Sequence, residues 1–372
     1  MSDEATRRTV LAAGAGGVGL LAGCVSGTEG EAESENDGSD EPTSVTMEPV
    51  GTVEFDSPPE TWLTYEIDYA DMGIALGVGE GLEAIGEENR YLTQYYDELG
   101  IPYAEDPQAL WNGGVDKEVF YDLDVDVHLV DPNWLEHNSA FGLDGEDVDE
   151  LEENVAPFVG NTIFRQTDEW HDYEYYTMYE AFEKVAQVFG REDRYEAFAE
   201  LHESFLEEIE SSLPPADERP EGVLVWAEDE PESFTAMRIS DGGTANKHFR
   251  DLGIEDAFEG TDVAGRSTDN SGEIDFETLA DVDPDAIFLS ERETESREEF
   301  ESGLVDYLRD HPVGGDLTAV QEGRVYRGGP IYQGPIYNLF LTERVARAVY
   351  PDQFDGDLFD RDEVSAIVEG DL

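Results

Sequence analysis

Two stretches of the chain repeat one pattern: residues 118–130 are EVFYDLDVDVHLV, and residues 277–289 are ETLADVDPDAIFL. Each is typical of a short helix, a tight acidic turn and an apolar strand of the kind buried in a parallel sheet. Acidic residues are so frequent here that matched aspartates alone could arise by chance, but the apolar positions match as well. The repeat therefore predicts two related α/β lobes.

The sequence between the two repeats predicts the helices that join the lobes. Apolar residues in 175–189 recur at the spacing of an amphipathic helix, and Gly190 supplies a C-terminal stop. A second stripe covers 195–209 and ends at Leu213-Pro214-Pro215. The predicted fold is therefore α/β, with two parallel-sheet lobes joined by one long helix.

Composition predicts a folded protein adapted to high salt. The 372 residues are enough for two domains, and the apolar and aromatic fractions of 39% and 11% are too high for a disordered acidic chain. The formal net charge is -70. Molar salt, in which the Debye length falls to about 3 Å, would screen the resulting repulsion. We therefore expect an extreme halophile as the source and no nucleic-acid partner.

The N-terminus carries signals for export and lipid attachment. Arg7-Arg8 precede an apolar run at 10–21 that is too short for an ordinary membrane span, and the run ends in Leu21-Ala22-Gly23-Cys24. This pattern resembles a twin-arginine signal followed by a lipobox; a nondescript N-terminal anchor is the alternative. Cys24 is the only cysteine, so it is the expected site of lipidation. We expect a protein anchored to the outer face of the cell membrane.

The chain is divided by composition into five predicted segments. Lobe one is expected to contain a strand at 61–67 and a loop at 68–72. The segments are a signal at 1–23, an acidic flexible tether at 24–48, the N-terminal lobe at 49–167, the connecting helices at 168–213 and the C-terminal lobe at 214–372.

Sequence motifs give no support for catalysis or for a protein-bound metal. No two of the six histidines form an i, i+4 pair, and the chain has no Gly-x-Ser-x-Gly elbow and no P-loop. Carboxylates are present in nearly every loop, so their presence does not distinguish a catalytic site from an ordinary acidic surface. We expect no enzyme activity, no metal site and no cofactor, with a secreted hydrolase that uses carboxylates as the alternative from a different class.

Aromatic and arginine residues at the ends of predicted strands are the candidate ligand contacts. Open α/β sheets bind ligands at the carboxyl ends of their strands, and arginine is scarce in this chain. For tryptophan the alternative is simple burial, and for arginine a surface salt bridge. The candidates are Tyr65, Trp134, Arg165, Trp226, Arg238 and Tyr332.

Three stretches are distinctive beside the lipobox: Gly242-Gly243-Thr244, Phe276 to Leu289 with Asp283-Pro284-Asp285, and Glu322-Gly323-Arg324-Val325-Tyr326. Together they resemble the iron-siderophore and cobalamin class of substrate-binding lipoproteins of ABC importers, here of haloarchaeal type. The resemblance covers the chain from about residue 51 onward, and 334–339 adds a weaker likeness to the ferric-hydroxamate branch.

The resemblance implies a monomer that captures a ferric siderophore, of hydroxamate type, and delivers it to an ABC permease with its ATPase subunits. It implies small hinge motion and one surface glutamate in each lobe that docks on permease arginines. Those glutamates map to Glu118 and Glu277, although Val125 stands where the family usually has proline. A corrinoid or haem on the same scaffold is the alternative cargo.

Overall fold

Short strands form three sheets in the part of the chain that the computed structural model describes, residues 42–371. The predicted signal, Cys24 and the tether up to residue 41 lie outside that range. The strands are β1 (Thr43–Met47), β2 (Gly51–Phe55), β3 (Trp62–Leu63), β4 (Leu82–Ile85), β5 (Gln108–Ala109), β6 (Val127–His128), β7 (Glu221–Trp226), β8 (Phe234–Met237), β9 (Glu255–Asp256), β10 (Glu273–Ile274), β11 (Ala286–Ser290) and β12 (Val325–Gly329).

Helices cover the faces of these sheets and connect them. None of them, within residues 42–371, combines the length and apolar character needed to cross a membrane. They are α1 (Ile67–Ala75), α2 (Gln94–Leu99), α3 (Lys117–Leu123), α4 (Pro132–His137), α5 (Gly145–Asn154), α6 (Met178–Phe189), α7 (Glu192–Ser212), α8 (Lys247–Asp251), α9 (Phe276–Val282), α10 (Arg297–Phe300), α11 (Asp306–Asp310), α12 (Thr318–Gln321), α13 (Pro335–Val349) and α14 (Arg361–Glu369).

Each lobe is built on its own sheet. The first sheet has the order β5-β4-β3-β6 and is parallel throughout. The second has the order β10-β8-β7-β11-β12, and β9 also pairs with β7. Its strands β7, β9, β11 and β12 are parallel, whereas β8 and β10 are antiparallel. The predicted fold class, two α/β lobes with parallel sheets and a helical connection, is confirmed.

The two repeated stretches fold alike. Helices α3 and α9 are each seven residues long, and each follows an aspartate whose side chain caps the helix. Each ends at an aspartate in the left-handed region, Asp124 with φ of 48° and Asp283 with φ of 44°. Aspartate tolerates this conformation better than most residues because its short side chain can bond locally. The predicted helix, acidic turn and strand are thus present in both copies.

The connecting helices α6 and α7 have the ends that the sequence indicates. Thr177 and Glu180 form a reciprocal capping box at the start of α6, and Gly190 ends it with φ of 60°. Helix α7 is 21 residues long and stops at Leu213, immediately before two prolines. Helix α6 starts later than the apolar stripe predicts, because the capping residue Thr177 follows Tyr175, the first residue of the stripe.

Alternating side chains of the central strands divide the interior into two cores. Leu224 and Phe288 point to a core that is shared with lobe one, whereas Val223, Ile287 and Leu289 point to a core under the outer helices of lobe two. Strands β7 and β11 are therefore buried on both faces. This explains why their sequences are apolar at successive positions.

Two local predictions in lobe one are wrong. The predicted strand at 61–67 is reduced to β3, and the predicted loop at 68–72 lies inside α1. All nine residues of α1 are buried, so the helix has no polar face to give the sequence a helical period. Residues 43–47, assigned to the tether, instead form β1, because Val45 and Met47 are buried in a hairpin with β2.

A strap of residues 163–168 bonds to lobe two before the chain enters the connecting helices. The carbonyl of Ile163 accepts a hydrogen bond from the backbone N–H of Thr244 at 2.9 Å. The carbonyl of Phe164 accepts another from the N–H of Ala245 at 3.2 Å. The strap therefore carries its side chains along lobe two.

Candidate ligand-binding cavity

A cavity of about 230 Å³ lies between the two lobes. Residues that follow β3, β4, β5 and β6 line one side, and the strap and the loops of lobe two line the other. This is the carboxyl edge of the parallel strands, where open α/β sheets bind ligands. The lining includes Tyr65, Glu87, Arg90, Trp111, Trp134, Phe141, Phe164, Arg165, Met237, Arg238, Asp241, Asn246, Arg266 and Tyr332.

The structure brings five of the six predicted contact residues into this cavity: Tyr65, Trp134, Arg165, Arg238 and Tyr332. Trp226 is not among the residues that line it. Its side chain is 39% exposed at the last position of β7. Met237, on the neighbouring strand β8, does line the cavity.

Aromatic rings form the walls of the cavity and carry two of its arginines. Trp134, which is in α4 rather than in the predicted loop, packs edge-on against Phe164 with ring centroids 5.4 Å apart. The guanidinium of Arg165 lies 5.1 Å from the Trp134 ring, and that of Arg90 lies 5.3 Å from the Tyr332 ring. Cation–π contact of this kind holds a planar guanidinium in a fixed orientation.

Buried carboxylates fix two arginines of the cavity, Arg165 and Arg238. Asp168 accepts two hydrogen bonds from Arg165, at 2.6 and 2.9 Å. Asp256 accepts one from Arg238 at 2.8 Å. Both carboxylate side chains are only 1% exposed. These ion pairs are therefore part of the wall and orient the guanidinium groups toward the cavity.

Arg90 joins the two lobes at the edge of the cavity. Its Nε lies 3.2 Å from Glu87 of lobe one and 3.2 Å from Glu291 of lobe two. Glu291 has a positive φ of 64° and also accepts a hydrogen bond from the N–H of Ile331 at 2.9 Å. One glutamate thus holds both Arg90 and the loop that carries Tyr332.

Arg266 differs from the other three arginines. Within residues 42–371, its guanidinium has no carboxylate within salt-bridge distance and no hydrogen-bond acceptor. Its backbone is fixed, because its N–H donates to the Ala236 carbonyl at 3.0 Å and its carbonyl accepts from the Thr167 hydroxyl at 2.7 Å. Partial burial lowers the pKa of Arg266, and the charges of Arg165 and Arg90 lower it further.

A buried acid, Asp71, ties α1 of lobe one to α13 of lobe two. Asp71 accepts hydrogen bonds from the backbone N–H groups of Ile336 at 2.9 Å and Tyr337 at 3.1 Å. It also accepts one from the Tyr96 hydroxyl at 3.0 Å. Asp71 therefore caps the first turn of α13 from the opposite lobe.

Two more acids, at the start of α1, are fully buried. The Asp68 carboxylate is 3.5 Å from the Thr244 hydroxyl of lobe two, and both carboxylate oxygens of Glu66 lack a hydrogen-bond partner within the described residues. Burial raises the pKa of Asp68 and of Asp71 to about 7. Burial, and then the charge of Asp68, raises the pKa of Glu66 well above its ordinary value.

Comparison with known families matches this architecture. The family model described as "Periplasmic binding protein" matches residues 64–332, which is most of the chain. This chain belongs to the periplasmic binding protein family. The family consists of substrate-binding proteins that act outside the cytoplasm, not of enzymes. A search among curated proteins found no significant match.

Solved structures share the fold of this periplasmic binding protein at low sequence identity. A periplasmic binding protein from Veillonella parvula has a TM-score of 0.61 and 17% identity, with 83% of this chain and 98% of that chain covered. The heme binding protein HmuT has a TM-score of 0.58 and 17% identity, covering 83% and 90%. The petrobactin-binding protein YclQ from Bacillus subtilis has a TM-score of 0.56 and 12% identity, covering 83% and 99%.

The two glutamates with a predicted docking role occupy equivalent places in the binding protein. Glu118 is the second residue of α3, Glu277 is the second residue of α9, and both are exposed. Each helix turns tightly into the following strand, so its first turn lies toward that strand's carboxyl end. Both glutamates are therefore on the side of the lobes where the cavity lies.

Sequence analysis missed several residues of the cavity, notably Arg90, Trp111, Phe164 and Arg266. Nothing in the sequence around Arg90 indicates a cavity. Arg266 follows a loop glycine with no motif around it. The one available signal was the scarcity of arginine in so acidic a chain.

Proposed function

We propose that this periplasmic binding protein is the extracytoplasmic substrate-binding component of an ABC importer and that it captures a ferric siderophore between its lobes. The observation that supports this most is the cavity lined by arginines and aromatic rings at the carboxyl edges of both sheets. Ligand sites of binding proteins are typically apolar clefts with a few placed polar groups. The titles of three structural relatives support this cargo class: they name a heme binding protein, a petrobactin-binding protein and the substrate-binding protein of an iron uptake ABC transporter.

The cavity residues would hold the chelate without replacing any ligand of the iron. Trp134 and Tyr332 offer ring faces to the organic shell of the chelate, and Arg165 offers N–H donors to its oxygens. Among residues 42–371 no group of three or more His, Cys, Asp or Glu side chains is arranged to hold a metal ion. The iron would therefore keep the siderophore's own oxygen ligands during transport.

The volume of the cavity favours a compact chelate over a corrinoid. At about 230 Å³ it is below the roughly 300–1,000 Å³ of typical small-molecule sites. A siderophore would extend out of the cleft or require a modest opening of the lobes. A cobalamin, which is much larger, would require wide separation of elements that buried bonds such as those of Asp71 hold together.

Delivery to the permease would use the matched glutamates. Glu118 and Glu277 project from equivalent helix starts on the two lobes, so two equivalent arginine sites on a permease dimer could receive them. Export by a twin-arginine signal and lipid attachment at Cys24 would place the protein at the outer face of the membrane. We assign it to a halophile because a net charge of -70 calls for molar salt.

Tryptophan fluorescence tests the proposed function. Trp111 and Trp134 line the cavity, whereas Trp226 is exposed outside it. The full chain in molar salt is titrated with ferric siderophores, with their iron-free forms, with haem and with cobalamin, and ligand absorbance is corrected with free tryptophan. Saturable quenching by a ferric siderophore supports the proposal. Saturation by cobalamin alone, or no binding of any iron chelate by fluorescence and by equilibrium dialysis, overturns it.

A further inference from the structure

The charge of the cavity is opposite to that of the protein. Over the whole chain 91 acidic residues face 21 lysines and arginines. The cavity lining instead contains four arginines, Arg90, Arg165, Arg238 and Arg266, and two acidic residues, Glu87 and Asp241. An acidic surface adapted to salt would place carboxylates in such a cleft by default. The concentration of guanidinium groups therefore needs a cause specific to this site.

Salt bridges with the protein account for three of these arginines. Arg90 is paired with Glu87 and Glu291, and buried carboxylates hold the other two. Arg266 is the exception within the described residues, because no carboxylate and no other acceptor meets its guanidinium. In a chain with more than four acids for every base, a cation without a partner in a cleft has its charge available for a ligand.

The loop that carries Arg266 is built to keep this residue in place. Its backbone is bonded on both sides, to Ala236 in β8 and to Thr167 in the strap. Gly272 approaches so closely that a Cβ there would lie 2.9 Å from the Arg266 nitrogen, and its φ of +67° favours glycine. The backbone of Arg266 is thus fixed while its side chain is left without a protein partner.

Direct contact is the only way in which a charge can act strongly in molar salt. With a Debye length of about 3 Å, the -70 charge of the chain neither repels nor attracts a ligand at a distance. A charged group of the ligand must therefore touch a guanidinium to gain from it. Arg266 offers the planar donor set that matches carboxylate and other paired oxygens.

We infer that the cavity selects an anionic metal chelate and that Arg266 is the specificity-determining residue that contacts its negatively charged oxygens. This inference rests on the proposed function and narrows its ligand. A neutral ferric tris-hydroxamate, the cargo suggested by the sequence resemblance, would leave Arg266 without an anionic partner. Carboxylate chelates and catecholate chelates share the required chemistry.

A ligand series combined with three variants tests the inference. The ligands are a neutral ferric tris-hydroxamate, an anionic ferric tris-catecholate, ferric citrate and haem, whose propionates are anionic. The variants are Arg266→Gln, Arg266→Lys and Arg297→Gln. Arg297 is 86% exposed on the outer surface of lobe two, so its variant controls for the loss of one positive charge. Dissociation constants are measured with the full chain in molar salt, and thermal unfolding confirms that each variant is folded.

The unmodified protein is expected to bind an anionic chelate more tightly than the neutral one. Arg266→Gln should weaken that binding by about ten- to a hundredfold, as expected for loss of a hydrogen bond between charged groups. Arg266→Lys should lose less of the affinity for the anionic chelate, and Arg297→Gln should bind that chelate with the same affinity as the unmodified protein. The dissociation constants of the tris-catecholate, of ferric citrate and of haem show whether the cavity prefers catecholate or carboxylate oxygens.

The opposite outcomes separate this inference from the proposed function. Equal binding of neutral and anionic chelates, with no effect of Arg266→Gln, overturns the inference and leaves the importer role standing. Tight binding of the neutral tris-hydroxamate, without binding of any anionic chelate, also overturns the inference and leaves the importer role standing. Failure of every iron chelate to bind overturns the proposed function and the inference with it.

Discussion

Replacing Asp71 with asparagine should change how the stability of this binding protein depends on pH. Asp71 is fully buried, and burial raises its pKa from an ordinary 3.8 to about 7, although the N–H groups of Tyr337 and Ile336 and the Tyr96 hydroxyl partly oppose this. In the unfolded chain the carboxyl ionises near pH 3.8, whereas in the folded protein it stays protonated until about pH 7. Its contribution to stability is therefore complete below pH 3.8 and is lost as pH rises to 7.

The size of the effect follows from the two pKa values. Between pH 5 and pH 8 the unfolded state releases this proton more readily than the folded state, which lowers the free energy of unfolding by about 2–3 kcal/mol. Asparagine cannot ionise, so Asp71→Asn removes this slope. At pH 5 the amide oxygen can still accept the hydrogen bonds at the start of α13, and the variant should be about 1 kcal/mol less stable. At pH 8 the variant should be the more stable protein.

Urea unfolding in constant molar salt, followed by tryptophan fluorescence at pH 5 and pH 8, measures this crossover. Equal m-values for the two proteins are needed so that midpoints can be compared as free energies. Asp122→Asn, at an exposed position of α3, controls for the loss of one acidic residue. If the difference between Asp71→Asn and the unmodified protein were the same at both pH values, Asp71 would not be a buried carboxyl with a raised pKa.

Three further outcomes are expected. Trp134→Ala should weaken chelate binding by about tenfold because the ring is buried in the cavity wall. Trp226→Ala, a control outside the cavity, should leave the affinity unchanged. Equilibrium dialysis, which does not depend on fluorescence, measures the affinities, and equal values for both variants and the unmodified protein would exclude Trp134 from the site. The double variant Glu118→Lys/Glu277→Lys should bind chelate normally but abolish iron uptake by cells. Glu298→Lys, at an exposed position, is the control for the change of charge and should support normal uptake. Normal uptake by the double variant would refute the docking role. The association rate constant of an anionic chelate, measured by stopped flow, should increase as salt rises from about 0.3 M to about 3 M, because salt screens the repulsion by the net charge of -70. The rate constant of a neutral chelate should change little. A rate constant for the anionic chelate that falls with salt would contradict this prediction.

The predictions that held rest on patterns that are local in sequence. The repeated helix, acidic turn and strand are confirmed at 118–130 and 277–289 because caps, turns and apolar strands are each specified within a few residues. Helix α1 was missed for the opposite reason. Both lobes bury it on all sides, so its polar residues Asp68 and Asp71 are buried together with the apolar ones and mark no exposed face.

The cavity was predictable only in part. Trp134 and Tyr332 could be placed near it because they follow predicted strands in each lobe. Arg266 could not, since its role depends on which carboxylates fail to reach it, and only the folded structure shows that. Trp226 also ends a predicted strand, but its side chain is 39% exposed and is not among the residues that line the cavity.

The strap of residues 163–168 has a consequence for fragments of this protein. It precedes α6 and α7 in the chain, yet its carbonyls accept hydrogen bonds from Thr244 and Ala245 of lobe two. One apolar core also contains Leu224 and Phe288 of lobe two together with residues of lobe one. A cut near residue 214 would thus leave each half without part of its own interior. Neither lobe should fold when expressed alone, whereas the two halves produced together should reassemble by fragment complementation.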